Sequence, residues 1–472
     1  MKVYIETLGC QMNRLDSELL VTLLQRESHE IVNTQKPADV ILYNTCSIRQ
    51  HAEDKIYSRL GVDAKRKASG RKIIVGVLGC MVQREGTNLA KKYPAVDILC
   101  APGQLYKLPD MIREAAASGK LVVSLDPSRT QKHSARVKDQ IARDTEAMDI
   151  VDASRDPKVM CDTSQGFVRI MRGCDNFCTY CIVPFVRGPE RSRHPESIVK
   201  EIRKLVASNR SEITLLGQTV NSYRHEDEKT TTRFSELLAM ISPIEGLRRL
   251  RFITSHPVDF TEDILQVMRD LPNICPYIHI PAQSGSDRIL KAMNRKYTRK
   301  QYDDLIAAAR EMVPNVVLVS DFIVGFPGET EQDHEASKDL IYRSGFKNSF
   351  VFKYSARPGT IAAKKMDDDV SEETKKRRNN ELLAVQKEVG LTHHEQYVGQ
   401  TMKILVAGPS KRSRKQTPGG SKSPDFVQMV GRTTGDHIVI FDGSQTLKGN
   451  YVNIEITSAS DLNLFGELAG AL

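Results

Sequence analysis

The chain has 472 residues, too many for one compact core, so two or three domains are expected. Its composition, 40% hydrophobic and 27% charged, is that of an ordinary soluble globular protein. No apolar run reaches the length needed to cross a bilayer, and Met1–Thr7 reads as a first β-strand rather than a signal peptide, so a cytoplasmic location is expected. A net charge of +9 permits nucleic-acid binding without establishing it. Nine cysteines, an odd number, in a reducing compartment point to buried thiols or metal ligands rather than disulfides.

In chain order, Val3–Thr7, Val40–Asn44 and Lys72–Leu78 are apolar, β-branched runs of strand length, separated by the helical patterns Asp16–Arg26 and His51–Lys67. This alternation predicts a parallel sheet with crossover helices over residues 1–120. Residues 121–160 are polar, contain Pro127 and Pro157, lack an apolar period, and read as a linker. A second α/β region, residues 161–395, holds predicted strands at Phe167–Met171, Glu212–Leu216, Arg249–Thr254, Tyr277–Ile280, Val316–Val324 and Phe350–Tyr354. Helical stretches among them include Glu196–Ala207, Arg299–Met312 and Thr330–Arg343. Six βα units predict a barrel or partial barrel with its chemistry at the C-terminal strand ends. A charged helix, Ser371–Tyr397, leads into residues 396–472. There the runs Thr401–Val406, Phe426–Val430, His437–Phe441 and Tyr451–Ile456 predict a small all-β barrel.

Cys174, Cys178 and Cys181 form a C-x3-C-x2-C cluster in the loop after a predicted barrel strand. Three thiolates from one loop can hold a single metal centre. They are one short of the four that close a typical iron–sulfur cluster, which leaves the open position that catalysis needs. A structural zinc site completed by Cys161 or His194 is the competing reading, although the spacing is unusual for zinc. Cys10, Cys46 and Cys80 each follow a predicted strand. In a parallel sheet such strand ends share one edge, so the three could converge on a second centre, with Gly9 and Gly79 easing the backbone past it. A small buried residue is the alternative for each of them, and it is the favoured reading for Cys100, Cys161 and Cys275.

The C-x3-C-x2-C loop after a barrel strand resembles the radical S-adenosylmethionine superfamily. The resemblance narrows to its methylthiotransferases and covers nearly the whole chain, through Gly9-Cys10-Gln11-Met12-Asn13, Cys181–Gly188, Leu216-Gly217-Gln218, Thr254–Pro257, Gln283–Ser286 and Asp321–Glu329. Thr219 and His194 depart from the family strings without touching a candidate ligand. The resemblance implies a terminal TRAM-like RNA-binding module, S-adenosylmethionine, and two [4Fe-4S] clusters, one on Cys174, Cys178 and Cys181 and one on Cys10, Cys46 and Cys80. The first would cleave the cofactor to a carbon radical that takes hydrogen from an unactivated C–H bond, and the second would carry the sulfur. Two cofactor molecules would be spent per turnover.

Within the family, the strings are most similar to the branch that methylthiolates carbon 2 of N(6)-dimethylallyladenosine beside the tRNA anticodon. Branches acting on threonylcarbamoyladenosine of tRNA or on a ribosomal-protein aspartate are the alternatives, and a non-catalytic, zinc-containing RNA-binding protein is the alternative outside the family. The implied partners are the tRNA anticodon loop, a reducing electron donor and a sulfur or cluster supply system. Tyr180 would pack against the cofactor adenine. Gly217, Gln218, Gln283, Ser284 and Gly325, at strand ends, are further candidate cofactor contacts. In Ser410–Pro424, Lys411, Arg412, Arg414, Lys415 and Lys422 form an acid-free basic stretch suited to phosphate contacts.

Overall fold

The computed structural model describes residues 1–47, 50–127, 134–157, 164–228, 230–410 and 426–470. The N-terminal region is a six-stranded sheet. Its order is Glu30–Ile31, Lys2–Leu8, Val40–Thr45, Ile74–Gly79, Ile98–Cys100, Val122–Ser124, and every neighbouring pair is parallel. Strand Val40–Thr45 is buried at every position, as expected of a central parallel strand covered on both faces. One face packs on Leu20, Leu24, Met111, Ile112 and Met148, and the other on Ile56, Leu60, Leu89 and Ala90.

The stretch 121–160, which reads as a linker in sequence, contains the last sheet strand and the helix Ala135–Ala153. Ser134 caps that helix at the amide of Val137. Its buried residues are Asp144, Met148, Val151 and Asp152. Half of the inward face is carboxylate, satisfied by partners from elsewhere, so the sequence shows no apolar stripe.

The second region holds all six expected strands, Gln165–Arg169, Glu212–Leu216, Arg249–Phe252, Tyr277–His279, Val317–Val324 and Asn348–Lys353. They form two parallel three-stranded ladders. A parallel bridge between Leu250 and Ile274 and the hydrogen bond from Ser255 N to His279 O (3.2 Å) carry the curve from one ladder to the next. Among the described residues no ladder joins the first strand to the sixth, which makes the barrel partial. Helices Phe234–Ile241 and Glu262–Asp270 also cover it.

Helix Glu372–Glu395 packs on the sixth strand and on helix Glu331–Ser344, then leads into a closed five-stranded barrel. That barrel is filled by Ile404, Met429, Val439, Phe441, Ile454 and Leu464. Its fifth strand, Asn463–Leu468, goes beyond the four runs expected from the sequence. The small barrel sits against the N-terminal ends of the larger barrel's strands. Arg249 donates to Arg432 O (2.8 Å) and Lys403 O (3.0 Å), Arg251 to Thr434 O (2.8 Å), and Lys347 to Asp436 O (2.7 Å). The basic residues Lys411–Lys422 lie outside the described residues, as does Cys161. Among the described residues, no helix is long and apolar enough to cross a membrane.

Candidate active site

Leu8, Thr45 and Gly79 are register partners across three adjacent strands, so the residues that follow them emerge side by side at one sheet edge. Cys10, Cys46 and Cys80 are brought together there. Gly79 has φ +95, and a Cβ on it would lie 2.5 Å from Thr45 O, so the turn into helix Cys80–Glu85 needs glycine. Asn13 and Asn44 brace the loop. Cys10 Sγ donates to Asn13 Oδ1 (3.2 Å), Asn13 Nδ2 donates to Thr45 O (2.7 Å), and Asn44 Nδ2 donates to Asn13 O (2.8 Å). A hydrogen bond from Cys46 lowers the Cys10 thiol to about 6, against burial and with help from Arg187. Burial raises the Cys80 thiol, and Arg187 works against it. Cys100 also ends a strand, but its side chain is fully buried in the core, so the packing reading suits it.

Cys174, Cys178 and Cys181 lie in the loop beyond strands Gln165–Arg169 and Met171–Arg172. Thr219, expected from the sequence to touch no candidate ligand, instead places its Oγ1 3.8 Å from Cys174 Sγ; Asn176 Nδ2 donates to Cys174 Sγ at 3.5 Å, and Arg295 Nη1 donates to Cys178 Sγ at 3.5 Å. Burial, then the neighbouring Cys178, pushes the Cys181 thiol up to about 12. None of the eight described cysteines is in a disulfide.

The segment that carries Cys80 meets the segment that follows Cys181. Helix Cys80–Glu85 contacts the turn Val183–Val186, and Cys80 packs with Ile182, the residue after Cys181, and with Val186. Arg187 ties them further: its Nε donates to Cys80 Sγ (3.2 Å), and its Nη2 pairs with Asp16 (3.1 Å). Asp16 also pairs with Arg169 (2.9 Å), which reaches Asp152 (3.0 Å). Burial alone would raise the Asp152 carboxyl, but Arg169, Arg172 and Arg193 hold it below the ordinary range. Sequence reasoning misses this buried network and Arg295. Arg187 stands inside the Cys181–Gly188 string and Asn13 inside Gly9–Asn13, so the strings carry a signal for them. Nothing in the sequence marks Arg295.

The weaker candidates have mixed settings. Tyr180 packs against Ile289, Met293, Phe326 and Tyr354. Gln283 is buried at φ +69 and bridges to Phe322, while Ser284 Oγ accepts from Ser286 N (3.2 Å). Gly325, at φ +69, donates to Glu329 Oε2 (2.6 Å). Gly217 and Gln218 follow strand Glu212–Leu216 and are half-buried. All of these lie at or beyond C-terminal strand ends.

Sulfur donors in two triads, each with a buried arginine to offset thiolate charge, fit iron–sulfur centres, and three thiols per triad leave one position open. A partial parallel barrel carrying one triad on a loop at its C-terminal face is the frame of a radical S-adenosylmethionine enzyme. Residues 168–341 match the Radical SAM superfamily, and residues 2–101 match the uncharacterized protein family UPF0004. The chain is 44% identical to a tRNA-2-methylthio-N(6)-dimethylallyladenosine synthase of Rhodopirellula baltica, across 99% of this chain and 95% of that protein. It is 42% identical to the protein of that name from Bacteroides thetaiotaomicron (99% and 96% covered) and 41% to that of Moorella thermoacetica (98% and 97%). Among solved structures, the radical S-adenosylmethionine methyltransferase TsrM of Kitasatospora setae shares the fold at TM-score 0.54 and 13% identity, over 77% of this chain and 75% of that one. The chain belongs to the radical S-adenosylmethionine methylthiotransferase family.

Proposed function

We propose that the enzyme installs a methylthio group at carbon 2 of N(6)-dimethylallyladenosine next to the anticodon of tRNA. The observation that carries this reading is the packing of Cys80, at the edge of the N-terminal sheet, against Ile182, the residue that follows Cys181. Whole-chain identity to synthases named for that nucleoside supports the substrate.

Cys174, Cys178 and Cys181 would hold the centre that binds S-adenosylmethionine, and Cys10, Cys46 and Cys80 the second. When bound, these groups supply one-electron cleavage of the cofactor and a transferable sulfur. The chain's own part is placement. Arg295 and Arg187 each donate to one ligand thiol and fix its side chain. Tyr180, Gly217, Gln218, Gln283, Ser284 and Gly325, at the strand-end face, would line the cofactor. Residues 396–472 would be a TRAM-like RNA-binding module, with Lys411–Lys422 contacting phosphates. A reducing donor and a sulfur supply complete the cycle, and the cytoplasm is where both tRNA and reduced thiols are found.

Nucleoside analysis of tRNA from a strain lacking the gene, with and without the gene restored, tests the reading. The methylthiolated dimethylallyladenosine disappears in the deletion and returns on complementation. If that nucleoside persists in the deletion while a threonylcarbamoyl derivative or a ribosomal aspartate loses its methylthio group, the substrate assignment is overturned.

A further inference from the structure

We propose that Phe177 and Phe185 form the apolar wall that reads the dimethylallyl group of the substrate base. The inference rests on the substrate proposed above. Carbon 2 must be reached from both centres, so the base has to lie between the two triads. The side chains that bridge them are Cys80, Ile182 and Val186, with Phe185 packed against that cluster. Phe177, between Cys174 and Cys178, meets Phe185 edge to face with ring centroids 6.3 Å apart. The aromatic pair therefore spans from one cysteine loop to the contact with the other.

Phe177 does not behave as a core residue. It is 36% exposed and sits at φ +49, a conformation costly for a bulky side chain. The loop is held by Asn294, whose side-chain amide donates to the carbonyls of Asn176 (3.3 Å) and Phe177 (3.0 Å). Strain maintained by surrounding hydrogen bonds, at the rim of a reaction centre, is the pattern of a residue kept for contact with a ligand. An unpaired RNA base is recognised by stacking on aromatic rings, and a branched five-carbon tail gains by burial against them. The carboxylate of a threonylcarbamoyl group would instead be desolvated against two phenyl rings, so the same wall rejects it.

The test is binding of synthetic anticodon stem–loops carrying either N(6)-dimethylallyladenosine or plain adenosine to the cluster-loaded enzyme under anaerobic conditions. Product formation by the wild type is measured alongside. Phe177→Ser and Phe185→Ser each weaken binding of the prenylated RNA by about tenfold, and change binding of the plain RNA much less. Phe185→Leu, which keeps an apolar surface, restores most of the preference. Iron and sulfide content checks that each variant retains its centres. If wild type methylthiolates the prenylated RNA but both serine variants keep its preference for it, the wall has been misplaced. If wild type forms no product from that RNA, the substrate reading itself fails.

Discussion

Arg187 and Arg295 each put a cation on one candidate ligand thiol, Arg295 as a buried residue and Arg187 through a side chain only 7% exposed. A charge-assisted hydrogen bond of this kind contributes about 1.5–3 kcal/mol. Arg187→Met should therefore weaken retention of the second centre by about ten- to a hundredfold, and leave the first intact. Asp16 keeps its pairing with Arg169, which limits damage to the fold. Iron analysis after challenge with a chelator reads this as a drop towards one cluster per chain.

His256 gives the residue scale a pH dependence. Burial, then Arg295 and Lys296, lowers its imidazole to about 3. Between that value and about 6.5 the unfolded chain binds a proton that the folded chain does not, so stability falls as pH falls through this window. The slope reaches about 1.4 kcal/mol per pH unit for this group. His256→Asn, whose side-chain oxygen can still accept from the Val258 amide, should flatten the acid side of a plot of thermal midpoint against pH. An unchanged acid limb would show that other groups set the acid sensitivity.

At the scale of elements, the strand ends do the positioning. Gly79→Ala would force a Cβ to 2.5 Å from Thr45 O at φ +95, so the turn must shift and carry Cys80 with it. A cost of about 1–3 kcal/mol is expected, together with loss of the second centre, visible as halved iron content. The element scale also shows what the sequence makes legible. Strands Val40–Thr45, Ile74–Gly79, Glu212–Leu216 and Val317–Val324 stand out because a central parallel strand is a near-continuous apolar run. Helix Ala135–Ala153 does not, because half of its inward face is Asp144 and Asp152, whose partners are Gln104, Tyr106 and Arg169. Strands Ile98–Cys100 and Val122–Ser124 are too short to announce themselves without their sheet. The arginine network is hidden for a related reason: Asp16 and Arg187 are far apart in the chain and meet only once the two regions dock.

Across the whole molecule, the cysteine triads and the C-terminal barrel occupy opposite ends of the central barrel's strands. Arg249, Arg251 and Lys347 hold the small barrel through its own carbonyls. Deleting Lys411–Lys422 should therefore leave cofactor cleavage in the absence of RNA unchanged. It should weaken tRNA binding and flatten its salt dependence by roughly one unit of slope for each phosphate no longer neutralised. Titrations of wild type and deletion at several salt concentrations check this, and superimposable curves would move the RNA path away from that segment.

The proposed division of duties between two centres is tested most directly by two triple variants, reconstituted anaerobically and assayed for both cofactor cleavage and methylthiolated RNA. Wild type is expected to hold two four-iron clusters. Replacing Cys10, Cys46 and Cys80 with alanine should leave one cluster, preserve 5′-deoxyadenosine formation and abolish the methylthio product. Replacing Cys174, Cys178 and Cys181 should leave one cluster and abolish both. Normal 5′-deoxyadenosine formation by the second variant, or wild-type methylthiolation by the first, would contradict this division of labour.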